Sequence, residues 1–146
     1  MSRVIIDMPD TFSFFCIIPV RISDINYGNH VGNDAILSII HEARVQFLKS
    51  HGYTELNLAG TGTIMADVAI QFKSEAFYGD QLHASIAAGD ISKIGFDLFY
   101  KLETFLPDNK KVLVANAKTG MICYDYLNKK IVSVPAEVKQ KFSREG

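Results

Sequence analysis

The sequence predicts an α+β domain in which one face of a curved antiparallel β-sheet wraps around a long central α-helix. Three observations carry this prediction: an apolar strand-like stretch near the N-terminus, one helix with a continuous apolar stripe, and four strand-like segments after it. A strand, a helix and then a run of strands is an order typical of α+β domains. A chain of 146 residues holds one domain with a sizeable core, so we expect residues 1–146 to form a single domain.

The first two elements follow from residue type and periodicity. Residues 11–22 are rich in Phe, Ile and Val and predict a buried strand whose pairing is limited by Pro19. The helix is predicted over residues 34–50, with an N-cap at Asn33 or Asp34 and a stop at residues 51–52. Its apolar stripe consists of Ile36, Ile39, Ile40, Ala43 and Phe47.

The second half of the chain alternates strand-like segments with turn residues. Strands are predicted near residues 64–73, 81–91, 95–103 and 111–124, separated by turns at 78–80, 92–93 and 107–109. This spacing predicts an antiparallel meander. A short final element is expected over residues 135–141, because proline is tolerated in a first helical turn.

Composition excludes several classes of partner. Fifteen basic and sixteen acidic residues leave a formal net charge of −1, which provides no broad electrostatic surface for nucleic acid or an anionic membrane. No stretch approaches the roughly 18 apolar residues of a membrane span. Cys16 and Cys123 lie in apolar runs without metal-ligand spacing, so we expect reduced, buried thiols and a cytoplasmic protein.

A turn between the first strand and the helix concentrates polar chemistry. Asp24, Asn26 and His30 bring a carboxylate, an amide and an imidazole within seven residues, suited to positioning or activating a water molecule. Backbone N–H groups at a helix start are suited to stabilising an oxyanion. The residues expected to present them are Val31, Gly32, Asn33 and Asp34.

These residues also carry a family resemblance. Residues 20–33, followed by His41-Glu42-Ala43-Arg44, resemble the first half of hotdog-fold acyl-CoA thioesterases of the 4-hydroxybenzoyl-CoA thioesterase type. The second half is similar to that family at residues 68–73, 77–82, 91–95 and 134–137. The resemblance implies a hotdog fold, homodimers or homotetramers, and active sites formed between two subunits.

One position departs from the family pattern. Many members of the family have a second acidic residue two positions after the one matched by Asp24, where it acts as nucleophile or general base. Here that position is Asn26, and an amide neither accepts a proton near neutral pH nor forms an anhydride. We therefore expect Asn26 to orient water or to hydrogen-bond the thioester carbonyl while another group supplies the base.

Each candidate for the base has a structural alternative. Glu42, acting from a subunit that contacts the same acyl group, is one candidate, and an ordinary helix-surface pair with Gln46 or Lys49 is its alternative. His30 is the second candidate, because imidazole exchanges protons near neutral pH, and a structural turn histidine is its alternative. Asp24 is either catalytic or an acceptor of backbone hydrogen bonds that shape the turn.

The resemblance also points to CoA contacts, although no glycine-rich phosphate loop is present. The segments matched by residues 72–74 and 92–95 tend to lie near the pantetheine channel in the family. They make Lys73, Ser92, Lys93 and Gly95 candidates for CoA binding, and an ordinary surface charge is the alternative for each lysine.

Thioester hydrolysis fits this set of groups without a metal or an organic cofactor, because a thiolate is a good leaving group. The expected activity is hydrolysis of an acyl-CoA by water attack, with the carbonyl polarised by helix N-terminal amides. A non-catalytic acyl-thioester-binding protein is the main alternative, motivated by Asn26. A hydratase acting on an enoyl or hydroxyacyl thioester is a second alternative.

Overall fold

One long helix lies against a curved antiparallel sheet in the computed structural model, which describes residues 1–144. The elements are β1 (Phe14–Pro19), α1 (Asn33–Ser50), β2 (Gly62–Phe72), β3 (Gln81–Gly89), β4 (Gly95–Phe105), β5 (Lys111–Asp125), β6 (Lys130–Ile131) and α2 (Ala136–Ser143). This is the predicted hotdog architecture. Among the described residues, no helix combines the length and the apolar character needed to cross a membrane.

The sheet topology corrects the predicted meander. The strand order is β1-β3-β4-β5-β2, with β6 paired to the end of β5. Strands β3, β4 and β5 follow one another as expected, but β2 lies beyond β5 at an edge of the sheet. The connection over residues 73–80 must therefore cross the end of the sheet to reach β3. Local patterning does not reveal such a crossing, because it reports element type and not strand neighbours.

The core lies between α1 and the sheet and has the composition predicted by the helical stripe. Phe47 is fully buried, and its ring centroid lies 5.9 Å from that of Phe14 and 5.4 Å from that of Phe142. Burial of a side chain of this size contributes about 1.5–3 kcal/mol. The remaining stripe residues are buried as well: Ile36, Ile39, Ile40 and Ala43. This burial determines which face of α1 packs against the sheet, and it holds the N-terminus of the helix at one end of the sheet.

Both ends of the segment before α1 differ from the prediction. The first strand ends at Pro19, not at residue 22, because proline has no N–H for the ladder and residues 22–24 turn as a 3-10 helix. The N-cap of α1 is Gly32, so the prediction of Asn33 or Asp34 as the cap is wrong. Gly32 is extended, with φ −73° and ψ 156°, and its carbonyl accepts the first helical hydrogen bond from Ile36 at 3.1 Å.

Candidate active site

A short hairpin precedes α1 and holds the polar residues that the sequence singled out. The N–H of Gly32 donates to the carbonyl of Asp24 at 3.0 Å, and the N–H of Asn26 donates to the carbonyl of His30 at 2.9 Å. Asn29 takes the left-handed conformation at the hairpin tip, with φ 65°, which asparagine tolerates better than most residues. Asn26 and His30 are therefore fixed opposite each other at the start of α1.

Asp24 has the turn-shaping contact that was one of its two predicted roles. Its buried carboxylate accepts the N–H of Arg21 at 2.8 Å through Oδ2, and the Arg21 guanidinium lies 3.4 Å from Oδ1. The carboxylate thus closes the turn that follows β1.

Asn26 presents an amide donor at the N-terminal end of α1. Its Oδ1 accepts the N–H of Gly28 at 2.9 Å, which leaves Nδ2 as the free end of the side chain. A β-carbon built on Gly32 would lie 3.5 Å from Cβ and 3.7 Å from Nδ2 of Asn26. The free amide group therefore lies beside the first turn of the helix, where it is able to donate to an oxygen atom.

The first turn of α1 has free backbone donors, although fewer than expected. The N–H of Val31 donates to the carbonyl of Ala76 at 2.8 Å, and that of Gly32 is engaged by Asp24. No side chain caps the helix, and within residues 1–144 the N–H groups of Asn33 and Asp34 have no acceptor. Unsatisfied donors and the helix dipole both favour an anion here. Of the four residues predicted to present oxyanion donors, Asn33 and Asp34 have free N–H groups, whereas those of Val31 and Gly32 are already bonded; the oxyanion role itself stays a prediction.

A cavity of about 240 Å³ opens beside these donors. It is lined by His30, Val31, Asn33, Ile36, Phe72, Lys73, Ser74, Glu75, Ala76 and Val114. Residues 74–76 come from the connection between β2 and β3. Residues 72–74 were expected near the pantetheine channel, but Glu75 and Ala76 were not predicted to reach the site, because their position depends on the pairing of β2 with β5. Lys73 was predicted as a CoA contact and lines this cavity.

Glu42 lies in a different cleft. It follows Gly32 by ten residues, which places it about 15 Å along the helix axis from the N-terminus. Its Oε2 accepts a hydrogen bond from Nε2 of Gln46 at 2.9 Å, which is the helix-surface pair named as its alternative. The cleft has a volume of about 280 Å³ and also contains Asp24. The catalytic role of Glu42 stays a prediction.

Burial, reinforced by the Glu42 carboxylate, raises the pKa of the Cys16 thiol to about 11. Cys123 is buried, and burial raises the pKa of its thiol too. Both cysteines are free thiols; Cys123 is buried as expected, but Cys16 is only half-buried because β1 lies at an edge of the sheet. The raised pKa values keep both thiols in the protonated, poorly nucleophilic form.

The predicted CoA contacts fall into two separate groups. The backbone N–H of Lys73 donates to the carbonyl of Val114 at 2.9 Å. In the turn over residues 92–95, the carbonyl of Ile94 accepts the N–H of Cys123, also at 2.9 Å. Val114 and Cys123 are nine residues apart on β5, a span of about 30 Å along a strand. A single chain therefore does not bring Lys73 together with Lys93.

Gly95 has a structural reason to lack a side chain. A β-carbon at this position would overlap the carbonyl oxygen of Met121, a backbone atom held in the β4–β5 ladder. We expect Gly95→Ala to lower the free energy of unfolding by about 1–3 kcal/mol, the usual cost of overpacking. Urea denaturation measures this loss, with Ser92→Ala as a control for the turn. An unchanged unfolding free energy for Gly95→Ala would contradict the packing described here.

Solved structures similar to this chain share its fold. A thioesterase superfamily protein from Jannaschia sp. CCS1 is 14% identical to this chain, with a TM-score of 0.82. The match covers 94% of this chain and 85% of the Jannaschia chain. A 1,4-dihydroxy-2-naphthoyl-CoA thioesterase from Synechocystis is 20% identical with a TM-score of 0.77, and the match covers 89% of this chain and 95% of the Synechocystis chain. A mutant 4-hydroxybenzoyl CoA thioesterase, complexed with 4-hydroxybenzoyl CoA, is 15% identical with a TM-score of 0.80, and the match covers 88% of this chain and 97% of the thioesterase chain.

The sequence itself matches a family model. No curated protein matches the chain. The model described as the thioesterase-like superfamily matches residues 20–142, which include the hairpin, α1, the whole β2–β3 crossing and almost all of α2. The match therefore extends over both sides of the cavity beside His30. Family model and fold agree, and the chain belongs to the thioesterase-like superfamily.

Proposed function

We propose that this protein hydrolyses an acyl-CoA thioester to a free acid and CoA. The observation that carries the proposal is the uncapped first turn of α1, where the free N–H groups of Asn33 and Asp34 lie beside the Asn26 amide. In thioester hydrolysis the carbonyl oxygen becomes an oxyanion when water adds to the carbon. Preorganised donors at that oxygen stabilise the transition state, with each donor contributing about 10²–10³-fold in rate.

The chemistry of the reaction needs no cofactor. Water oxygen bonds to the carbonyl carbon and loses a proton to a base, and the C–S bond of the tetrahedral intermediate then breaks. The thiolate leaves and takes up a proton, so that acid and thiol are the products. Asn26 serves as a hydrogen-bond donor in this scheme, because an amide has no basic site for the proton of water.

A homodimer is part of the proposal. Lys73 and the turn over residues 92–95 lie near opposite ends of β5 in one chain, and this separation favours a CoA site to which two chains contribute. Strand β2 lies at an edge of the sheet and exposes Met65, Val68 and Phe72, which suits pairing with a second copy. Light scattering on the purified protein tests this, and a monomer would contradict a shared site.

A non-catalytic acyl-thioester-binding protein is the second candidate, because Asn26 replaces the carboxylate of the family pattern. Release of free thiol from a panel of short, medium, long and aromatic acyl-CoAs separates the two, with mass spectrometry of the products. We expect free acid and CoA to form in proportion to enzyme concentration. Saturable binding without thiol release would support the binding protein, and a hydrated product that retains its thioester would support a hydratase.

A further inference from the structure

The proposed hydrolysis lacks a base at position 26, but the cavity beside α1 is lined by an imidazole from the hairpin and a carboxylate from the β2–β3 connection. We propose that His30 is the general base for the attacking water and that Glu75 is its positioning partner. This inference rests on the proposed function. It replaces the missing carboxylate by an imidazole–carboxylate pair built between the hairpin and the β2–β3 connection.

The hydrogen bonds of His30 fix which ring nitrogen is available. Nδ1 lies 3.0 Å from the carbonyl oxygen of Val31. Because a carbonyl only accepts hydrogen bonds, Nδ1 carries the proton in the neutral ring, and Nε2 is left with its lone pair. Val31 is itself buried and held by Ala76, so the ring is anchored to a rigid part of the backbone. His30 therefore presents a basic nitrogen in a defined direction.

The surroundings of Nε2 suit a water molecule between two polar groups. Nε2 lies 3.9 Å from Oε1 of Glu75, too far for a direct hydrogen bond but close enough for a charge interaction once the ring is protonated. A β-carbon on Gly28 would lie 3.1 Å from Nε2 and 3.2 Å from Oδ1 of Asn26. The imidazole and the Asn26 amide thus flank the same face of Gly28.

The placement of the pair distinguishes it from Glu42. His30 and Glu75 line the same cavity as Asn33, a residue with a free N–H at the helix start, whereas Glu42 lines another cleft. A thioester whose carbonyl oxygen accepts from Asn33 would have its carbon next to this cavity. The base and the oxyanion donors are then on the two sides of one reacting carbon, as water attack requires.

The proposed step balances in protons and electrons. Nε2 of His30 removes one proton from water as the water oxygen bonds to the carbonyl carbon, and the electrons of the C=O bond move to the oxyanion. The Glu75 carboxylate stabilises the imidazolium that forms. When the intermediate collapses, the C–S bond breaks and the thiolate receives the proton from Nε2, which restores the neutral ring.

Thiol release by the full-length protein tests the pair. We expect His30→Ala to lower kcat by about 10²–10⁴-fold, the range of general-base catalysis, with a small change in KM. Added imidazole should restore part of this rate. Glu75→Gln should lower kcat about tenfold, and Glu75→Asp should restore part of the loss. In the His30→Ala/Glu75→Gln double variant, kcat should equal that of His30→Ala alone, because a residue that acts through His30 has no effect once His30 is absent.

Matched controls separate catalysis from general damage. His83→Ala removes an imidazole that packs against Phe105, and Glu137→Gln removes an exposed glutamate in the first turn of α2; both should leave kcat unchanged. If wild type turns over but His30→Ala keeps its kcat, or if the two losses multiply, the pair is wrong and the hydrolysis stands. If wild type releases no thiol from any acyl-CoA, the proposed hydrolysis is wrong, and the proposed roles of His30 and Glu75 are wrong with it.

Discussion

Replacement of Gly32 by alanine should lower kcat/KM for thiol release by about 10²-fold while leaving the fold intact. The new β-carbon would lie 2.6 Å from Oδ1 of Asp34 and 3.5 Å from Cβ of Asn26. The Asp34 carboxylate must move to make room, and this changes the surroundings of the free N–H group on the same residue. Displacement of about 1 Å in a catalytic site costs on the order of 10²-fold.

Circular dichroism and urea denaturation provide the check on folding for this variant. Gly89→Ala is the matched control, since a β-carbon there would lie 3.3 Å from the flexible ring of Phe99, away from the hairpin. We expect its turnover to equal that of wild type. Wild-type turnover in Gly32→Ala would show that the first turn of α1 is not where the thioester carbonyl binds.

Removal of the buried Arg44 side chain should give the largest loss of stability, about 3 kcal/mol, at the lower end of the cost of deleting one partner of a buried ion pair, because its partner Glu55 is half-buried. Arg44 is only 5% exposed, between α1 and the sheet. Its Nε lies 3.4 Å from Glu55, and its Nη1 donates to the Tyr100 hydroxyl at 3.3 Å. Tyr100 also bonds to Thr119 at 2.7 Å, so the guanidinium connects α1 to β4 and β5.

Urea denaturation of Arg44→Ala measures this loss. Within residues 1–144, the Glu55 carboxylate would lose its ion pair with Arg44 and keep its contact with His41, so part of the cost is a less well compensated carboxylate. The Arg44→Ala/Glu55→Ala double variant should therefore lose less than the sum of the two single losses. A loss below about 1 kcal/mol for Arg44→Ala would mean that the network contributes only as much as a surface ion pair.

The helix and strands were predictable because their signals are local. The stripe that ends at Phe47 has helical spacing, and α1 ends where Gly52 takes φ 83°, as the stop over residues 51–52 predicted. The helix start was misplaced by one position, because Asn33 and Asp34 are frequent caps by residue type. Gly32 is the cap because its backbone is extended and bonded to Asp24, a tertiary condition that propensity does not contain.

The candidate site was predictable only where it is contiguous in sequence. Asn26 and His30 share one hairpin, so their proximity follows from chain connectivity. Glu75 was missed because it reaches the cavity through the crossing from β2 to β3. Lys73 and Lys93 were grouped by resemblance, yet β5 separates them within one chain, and only an assembly of two chains would unite them.

A crystal structure with an acyl-CoA analogue in which a methylene group replaces the thioester sulfur would locate the acyl group relative to α1. Such an analogue keeps the carbonyl and resists hydrolysis. We expect the carbonyl oxygen to accept hydrogen bonds from the backbone N–H groups of Asn33 and Asp34, with Nε2 of His30 near the face of the carbonyl carbon. An acyl group bound in the cleft of Glu42, away from the start of α1, would contradict this expectation.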